Sequence, residues 1–514
     1  MDVPSGEIDR ISALPDKLLH VILGHLGYAP PSPRRPSDFV GFVDWALAHR
    51  AADADMDSLK IEFTNKQQAP ASPEKVSEWL RYAAQHVVHS VDIDIGYYYG
   101  HCSGRTEPTT DEQQAVVVEV PSHGKATSIF FVLPNHRFKL LPHDPAAAAA
   151  GARHEALTNL ELFSLSFSSD GHELTDFVSS CCPRLRRLLV CGPKGLRRLT
   201  LRSDSLQDFS VSGATDLQTL DVATPNLRVF YMCLCFTYRK IYGNCDEYVD
   251  GTDDKLVRVV APKLEEIVSM YNSRRMPADL DIHDLTTVRR LTDLYLDMHE
   301  KYHSSTDGVG FWLLENCPNV EHVDVRLGHM PRGSKLAGAA EEEELVDLTS
   351  EGKAPLGKVR SLVVRATGYL KHHFVASVSS LLVRCPQLTS LRVDIMQFCI
   401  KEATWGCFCE GVADKWDICG KVALESLEEM RMTGFGGTEE EMQLVRLLFD
   451  SSASSIKRMA LVHASAANNK KAGVLPDVKD IDTIYHELMK IPCAHLGSWR
   501  LSKKTFTWTS DATS

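Results

Sequence analysis

The sequence predicts a repeating α/β fold in which short parallel strands stack side by side, each unit covering the apolar side of the one before it. Three observations carry this. The pattern L-x-x-L-x-L, with other apolar residues admitted, recurs twelve times between Leu157 and Leu461. Its copies fall at two spacings, one of 10 or 11 residues and one of 27 to 39. Three copies directly follow an apolar helical stretch that ends in Cys-Pro.

In order, the copies begin at Leu157 (LTNLEL), Leu185 (LRRLLV), Leu196 (LRRLTL), Leu206 (LQDFSV), Leu217 (LQTLDV) and Leu227 (LRVFYM). They resume at Leu291 (LTDLYL), Val320 (VEHVDV), Val359 (VRSLVV), Leu388 (LTSLRV), Leu427 (LEEMRM) and Ile456 (IKRMAL), with a looser copy at Leu264. Side chains alternate along a strand, so the fourth and sixth positions share a face. The first apolar residue enters from the preceding turn and packs behind them. One such unit cannot cover its apolar side, whereas stacked neighbours can, and the expected result is a horseshoe-like leucine-rich-repeat solenoid.

The close spacing, from 185 to 227, leaves room for a strand and a turn but no helix. Read in pairs it gives repeats of about 21 residues, one strand lining the concave face and the next covering the convex face. The wider spacings leave room for helices, and LTDFVSSCCP, FWLLENCP and SVSSLLVRCP supply them. Pro183, Pro318 and Pro386 stop these helices. Cys182, Cys317 and Cys385 before them are small apolar residues suited to a tight corner. The competing reading is metal ligation, but these cysteines are far apart in sequence and would be distributed along the solenoid rather than converge.

The totals fit this picture. A chain of 514 residues exceeds the ~250–300 that one core supports, so several units or an elongated array is expected. With 44% hydrophobic and 24% charged residues it reads as folded, and a net charge of −12 argues against a dedicated nucleic-acid binder. No apolar run approaches the ~20 residues of a membrane span, and the opening MDVPSGEIDR is no apolar leader. The chain is therefore expected to be soluble, in the cytoplasm and/or nucleus, with its 14 Cys as thiols.

The first thirty residues differ from the rest. In IDRISALPDKLLHVILGHL, from Ile8 to Leu26, Pro15 suits the first turn of a helix. Leu18, Leu19, Ile22, Leu23 and Leu26 then form one apolar stripe. Such a helix either caps the open edge of a solenoid or lies in a partner's groove. Pro30, Pro31, Pro33 and Pro36 follow and forbid continuous helix.

The string Asp9-Arg10-Ile11-Ser12-x-Leu14-Pro15-Asp16-x-Leu18-Leu19-x-x-Ile22-Leu23-x-x-Leu26 resembles the opening of the plant F-box. Phe42–Leu47 (FVDWAL), PSHGKATSI at 121–129 and FVSSCCPRLRRL at 177–188 resemble the plant F-box, leucine-rich-repeat and FBD group, particularly that of grasses. Leu427–Met432, Gly434-Phe435-Gly436-Gly437, a helix over Glu439–Phe449 and Ile456–Leu461 are similar to the FBD unit. The likeness covers most of the chain, and the F-box opening is its most specific part. One departure stands out: the family's second F-box half, of the type RTSVLSRRWRxLW, is replaced by GYAPPSPRRPSDFVGFVDW.

The resemblance implies a partial F-box at 8–27, a Pro-rich linker at 28–40, a solenoid at 41–425, an FBD-like terminal repeat at 426–462 and a C-terminal segment at 463–514. It further implies a non-catalytic substrate-recognition subunit of a Skp–cullin–F-box ubiquitin ligase. A Skp-type linker protein would dock on Leu14, Pro15, Leu18, Leu19, Ile22 and Leu23, and the repeats would bind a target protein. The alternative is a repeat-only interaction module that has lost ligase docking.

Candidate chemistry is sparse. His86 and His89 stand three apart in HVVH, expected on a helix following Trp79-Leu80, but no nearby third ligand is spaced for a metal. Cys407, Cys409 and Cys419 lack a fourth ligand at standard spacing. No phosphate-binding, nucleophile-elbow or zinc-protease motif occurs. Gly434 to Gly437 reads as a turn, and Glu439–Glu441 suit the positive end of the following helix. Glu341–Glu344 reads as a solvated insertion loop, and Tyr97-Tyr98-Tyr99 as exposed loop or contact surface. No catalytic residue, cofactor, metal or membrane contact is predicted.

Overall fold

The computed structural model describes residues 38–48, 55–63, 71–95, 116–134, 136–140, 153–168, 170–235, 237–242, 245–250, 255–271, 279–297, 309–328, 356–367, 374–396, 422–452, 455–464, 478–491 and 497–511. The residues expected to dock a linker protein, Leu14, Pro15, Leu18, Leu19, Ile22 and Leu23, lie outside the described residues. So do Tyr97–Tyr99, Glu341–Glu344 and the segment from Cys407 to Cys419.

The strands in the first half are β1 (Met56–Glu62), β2 (Val87–Asp94), β3 (Val116–Val120), β4 (Ser128–Val132), β5 (His136–Leu140) and β6 (Asn159–Phe163). They continue with β7 (Arg187–Cys191), β8 (Arg198–Arg202), β9 (Asp208–Ser212), β10 (Thr219–Ala223), β11 (Val229–Cys233) and β12 (Thr237–Tyr242). Next come β13 (Cys245–Asp250), β14 (Leu256–Val260), β15 (Glu266–Tyr271), β16 (Asp279–His283), β17 (Arg290–Asp297) and β18 (His322–Gly328). The last are β19 (Ser361–Thr367), β20 (Ser390–Met396), β21 (Glu429–Phe435), β22 (Arg458–His463), β23 (Gly497–Ser502) and β24 (Thr505–Ser510). The helices are α1 (Asp38–Ala48), α2 (Pro73–His86), α3 (His172–Asp176, prolonged by a π turn over Phe177–Cys181), α4 (Val309–Asn316), α5 (Phe374–Val383), α6 (Glu439–Ser451) and α7 (Ile481–Leu488).

Contacts divide the chain into two compact units. One comprises Met1–Lys240, Tyr248–Lys263 and Pro277–Asp284, and the other Ile241–Glu247, Leu264–Met276 and Leu285–Ser514.

In the first unit a parallel sheet runs β1-β2-β4-β6-β7-β9-β11, and a second parallel sheet runs β8-β10-β14-β16. The closely spaced copies thus alternate between two sheets, as their spacing predicts. Leu188, Phe209 and Phe230 align across the first sheet, and Leu199, Leu220 and Val257 across the second. All six are completely buried. At one side of this unit α1 meets α2, where Trp79 Nε1 donates to Asp44 Oδ1 at 2.9 Å.

In the second unit the parallel order is β15-β17-β18-β19-β20-β21-β22, after which β24 and β23 add on antiparallel. The antiparallel turn lets Trp508 and Phe506 align with Met459 and Leu461 and bury completely. That covers the last apolar edge, which a further parallel unit would otherwise have to cover.

Two recurring hydrogen-bond patterns explain why the template works. The first apolar residue closes a tight turn: the Leu185 N–H donates to Cys182 O at 3.2 Å, Leu388 to Cys385 O at 3.2 Å and Leu427 to Leu424 O at 3.1 Å. The next two amides then share one carbonyl of the preceding unit. Arg186 and Arg187 donate to Thr158 O at 2.9 and 3.0 Å, and Lys457 and Arg458 donate to Glu428 O at 2.8 and 3.1 Å. The three cysteines before proline are buried at these corners.

Three expectations need correction. The copy read at Leu291 begins three residues earlier: Val288 closes the turn on Leu285 O, and Leu291 aligns with Val323 rather than with Val320. Leu291, Leu294 and Leu296 are all buried, so their apolar character could not distinguish the two frames. The described residues of the interval after Leu264 form no helix but β16 and a 3₁₀ turn at Leu285–Thr287, because DLDIH alternates as a strand and pairs with β14. Finally, His86 closes α2 while His89 lies in β2, so the two do not share a helix face.

At α6 two residues of the expected acidic start take distinct roles. Thr438 caps the helix, and Glu441 accepts from the Thr438 and Gly436 amides at 2.9 Å each. Glu440 instead accepts from the Phe374 N–H at 3.2 Å, at the start of α5. Burial pushes its carboxyl from the ordinary 4.5 up to about 7, against the pull of the Phe374 and Val375 amides. The folded state therefore holds the proton more tightly than the unfolded chain, and stability contributed by this group falls as pH rises from about 4.5 to 7. Glu440→Gln should flatten that decline, leaving stability unchanged near pH 4 and raised near pH 8. Urea titrations at the two pH values check it.

Candidate functional site

Residues on either side of the buried template positions point away from the core and form an open sheet face. In the second unit this face is built around an irregularity in β17. Four residues there, Leu291 to Leu294, span the same register as three in β18, Val323 to Val325. The extra residue, Asp293, adopts a left-handed backbone with φ of +54°. A β-bulge of this kind re-aims a side chain.

Asp293 accepts from Arg326 Nη2 at 2.6 Å and from Arg365 Nη1 at 3.3 Å. Arg365 Nη2 reaches Asp324 Oδ2 at 2.5 Å. One strand further, Arg392 Nε donates to Asp394 at 2.9 Å and Thr433 Oγ1 donates to the same carboxylate at 2.5 Å. Tyr295, Arg326, Arg365, Asp394 and Thr433 occupy one register row across β17–β21, and Arg392 aligns with Arg431 in the neighbouring row.

The layering matters. The carboxylate side chains of Asp324, Asp394 and Asp293 are 6, 16 and 25% exposed, whereas those of Arg365, Arg326 and Arg392 are 33, 43 and 53% exposed. Carboxylates lie underneath and guanidinium groups on top. Burial raises the Asp324 carboxyl above the usual range, opposed by Arg365. Among the described residues Asp324 Oδ1 and Arg326 Nε are buried without hydrogen-bond partners. Each such atom costs about 1–3 kcal/mol, so this arrangement is poorly explained as a stabilising device.

The open face of the first unit has another character. Phe130, Glu161, Leu189, Ser210 and Tyr231 align across β4 to β11. Phe163 in the adjacent row packs on Phe130 with ring centroids 5.1 Å apart. These side chains are half-buried.

Reactive chemistry is scarce elsewhere. Burial pushes the Cys317 and Cys385 thiols up to about 12 and raises Cys182 further, which keeps them protonated and unreactive at neutral pH. Among the described residues no three His, Cys, Asp or Glu side chains gather as metal ligands. His86 packs against Tyr82 with tilted rings 4.5 Å apart, and His89 is exposed. No helix among the described residues is long and apolar enough to cross a membrane.

The repeats were expected to bind a target protein, but none of Asp293, Asp324, Arg326, Arg365 or Arg392 was singled out. Their only sequence signal is a charge at an unspecified position of a template or directly after its last residue. The six residues expected to dock a linker protein lie outside the described residues. No protein-family model matches the chain, and no curated protein matches it significantly.

Proposed function

We propose that this chain is the substrate-recognition subunit of a Skp–cullin–F-box ubiquitin ligase, a non-catalytic adaptor whose leucine-rich-repeat face holds a target protein. The observation that supports it most is the open sheet face of the second unit, which carries ordered charges, while Cys182, Cys317 and Cys385 are buried at the turns. Such a surface suits binding rather than turnover. The resemblance of residues 9–26 to the F-box opening supplies the ligase connection, and residues 426–462 would form the FBD-like terminal repeat.

The docking claim is tested directly. A purified Skp-type linker protein should co-purify with the intact chain. Burial of each leucine or isoleucine of the stripe is worth roughly 1.5–3 kcal/mol, so Leu14→Asp with Leu18→Asp should abolish the association. Failure of the intact chain to bind would leave the second reading, a repeat-only interaction module. The replacement of the second F-box half by a Pro-rich stretch favours that reading. It predicts capture of a target without the linker, in the cytoplasm and/or nucleus.

A further inference from the structure

The charged face of the second unit has a chemistry that narrows its partner, given the proposal that the open sheet face binds protein. Arg326, Arg365, Arg392 and Arg431 project from four adjacent strands, β18 to β21. Neighbouring strands lie about 4.8 Å apart, so the four guanidinium groups form a compact patch rather than scattered charges. We infer that this patch takes an extended acidic segment of the partner protein, its Asp or Glu carboxylates seated on the arginines of β18–β21.

The arginines are positioned before any ligand arrives. Arg326 and Arg365 are both tied to Asp293, which the bulge in β17 aims at them, and Arg365 is tied again to buried Asp324. Among the described residues Arg392 uses its Nε for Asp394, and its two terminal nitrogens make no ion pair. Arg431 is exposed and makes no ion pair among the described residues. A guanidinium held by a carboxylate from below loses little further freedom on binding a second carboxylate from above, and its planar fork suits bidentate pairing.

Charge balance separates acidic peptide from nucleic acid. Four arginines stand over three aspartates, leaving about one net positive charge on the patch. Neutralising a phosphate backbone takes a run of uncompensated cations, which this face lacks. Discrete carboxylates need only local guanidinium donors.

The test uses the full chain and fluorescein-labelled short peptides of alternating Glu and Ser, with Gln–Ser and Lys–Ser peptides of the same length, read by anisotropy. The Glu peptide should bind at least about tenfold tighter than the Gln peptide at low salt, the gap narrowing as ionic strength rises. Arg392→Gln with Arg431→Gln should remove that preference without changing the melting temperature. Should the double variant misfold, Arg431→Gln alone should weaken the Glu peptide several-fold, since its side chain supports no described partner. Tyr231→Ser, on the open face of the other unit, should leave Glu-peptide binding intact. Equal affinity for Glu and Gln peptides, an unaltered preference in a folded arginine variant, or stronger binding of single-stranded RNA would each overturn the inference. Cross-links from a bound target separate the two levels. Links to β18–β21 without an acidic preference would overturn this inference alone. Links confined to surfaces away from the sheet face would overturn the reading of that face as the target site.

Discussion

Gly434→Ala should lower the stability of the second unit by about 2–4 kcal/mol, a large effect for one added methyl group. Gly434 sits in β21 with φ of +78°, a backbone conformation that an L side chain adopts at a cost. A Cβ there would also collide with the backbone carbonyl oxygen of Ile395 in β20, an atom that cannot swing aside as a side chain can. The glycine is a bulge: Thr433 aligns with Val462 and Phe435 with His463, one residue being extra on β21. That bulge turns Phe435 into the core, completely buried and edge-on to Phe506 at 6.4 Å. The substitution therefore strains the backbone and disturbs an aromatic contact together. Gly357→Ala, where nothing lies within 4 Å of the added carbon, should change stability by less than about 0.5 kcal/mol. Urea denaturation of the two variants measures the difference, and equal midpoints would contradict the assignment.

Gly434 also shows where sequence reasoning stops. The glycine cluster reads as a turn, and Gly437 with φ of +72° does lead into the α6 cap. Gly434 is still within the strand, since whether a glycine ends a strand or bulges it depends on the neighbouring strand's register. The same limit explains the frame at Leu291, where bulged Asp293 lets three leucines bury at a spacing that fits two templates. The core itself was legible because period alone decides it: Leu185, Leu188 and Val190, or Leu388, Leu391 and Val393, are at most 1% exposed. The Cys-Pro corners and the alternation of closely spaced copies followed from length and turn chemistry. The strands β1, β2 and β4 had no full template, only the weaker alternation of residues such as Val87, Val91 and Ile93. The final hairpin carried its signal in TFTWTS, whose Phe506 and Trp508 bury, yet its antiparallel partner could not be inferred from that string. For the candidate site, Asp293, Asp324, Arg326 and Arg365 become one cluster only when β17, β18 and β19 are placed side by side. Separations of 33, 41 and 72 residues carry no local pattern.

Phe209→Ala should cost the first unit about 3–5 kcal/mol, the range for removing a fully buried aromatic side chain. Phe209 is completely buried, aligned with Leu188 on one side and Phe230 on the other, and its ring stacks on Phe230 at 6.0 Å. The walls of the resulting cavity are strands held in a hydrogen-bonded ladder, where Gln207 and Asp208 donate to Arg186 O at 2.8 and 2.9 Å. A ladder collapses around a void less readily than a helix surface or loop, so the cost should fall toward the upper part of that range. Packing in this sheet is between immediate neighbours, and the loss should be local. Amide exchange should quicken in β7, β9 and β11, while β19–β21 of the other unit keep their protection. Ser210→Ala, one residue along but on the open face, should stay within about 0.5 kcal/mol of the parent chain. Exchange that quickened equally in both units would show that they unfold as one cooperative body, and that additive bookkeeping by repeat does not hold for this chain.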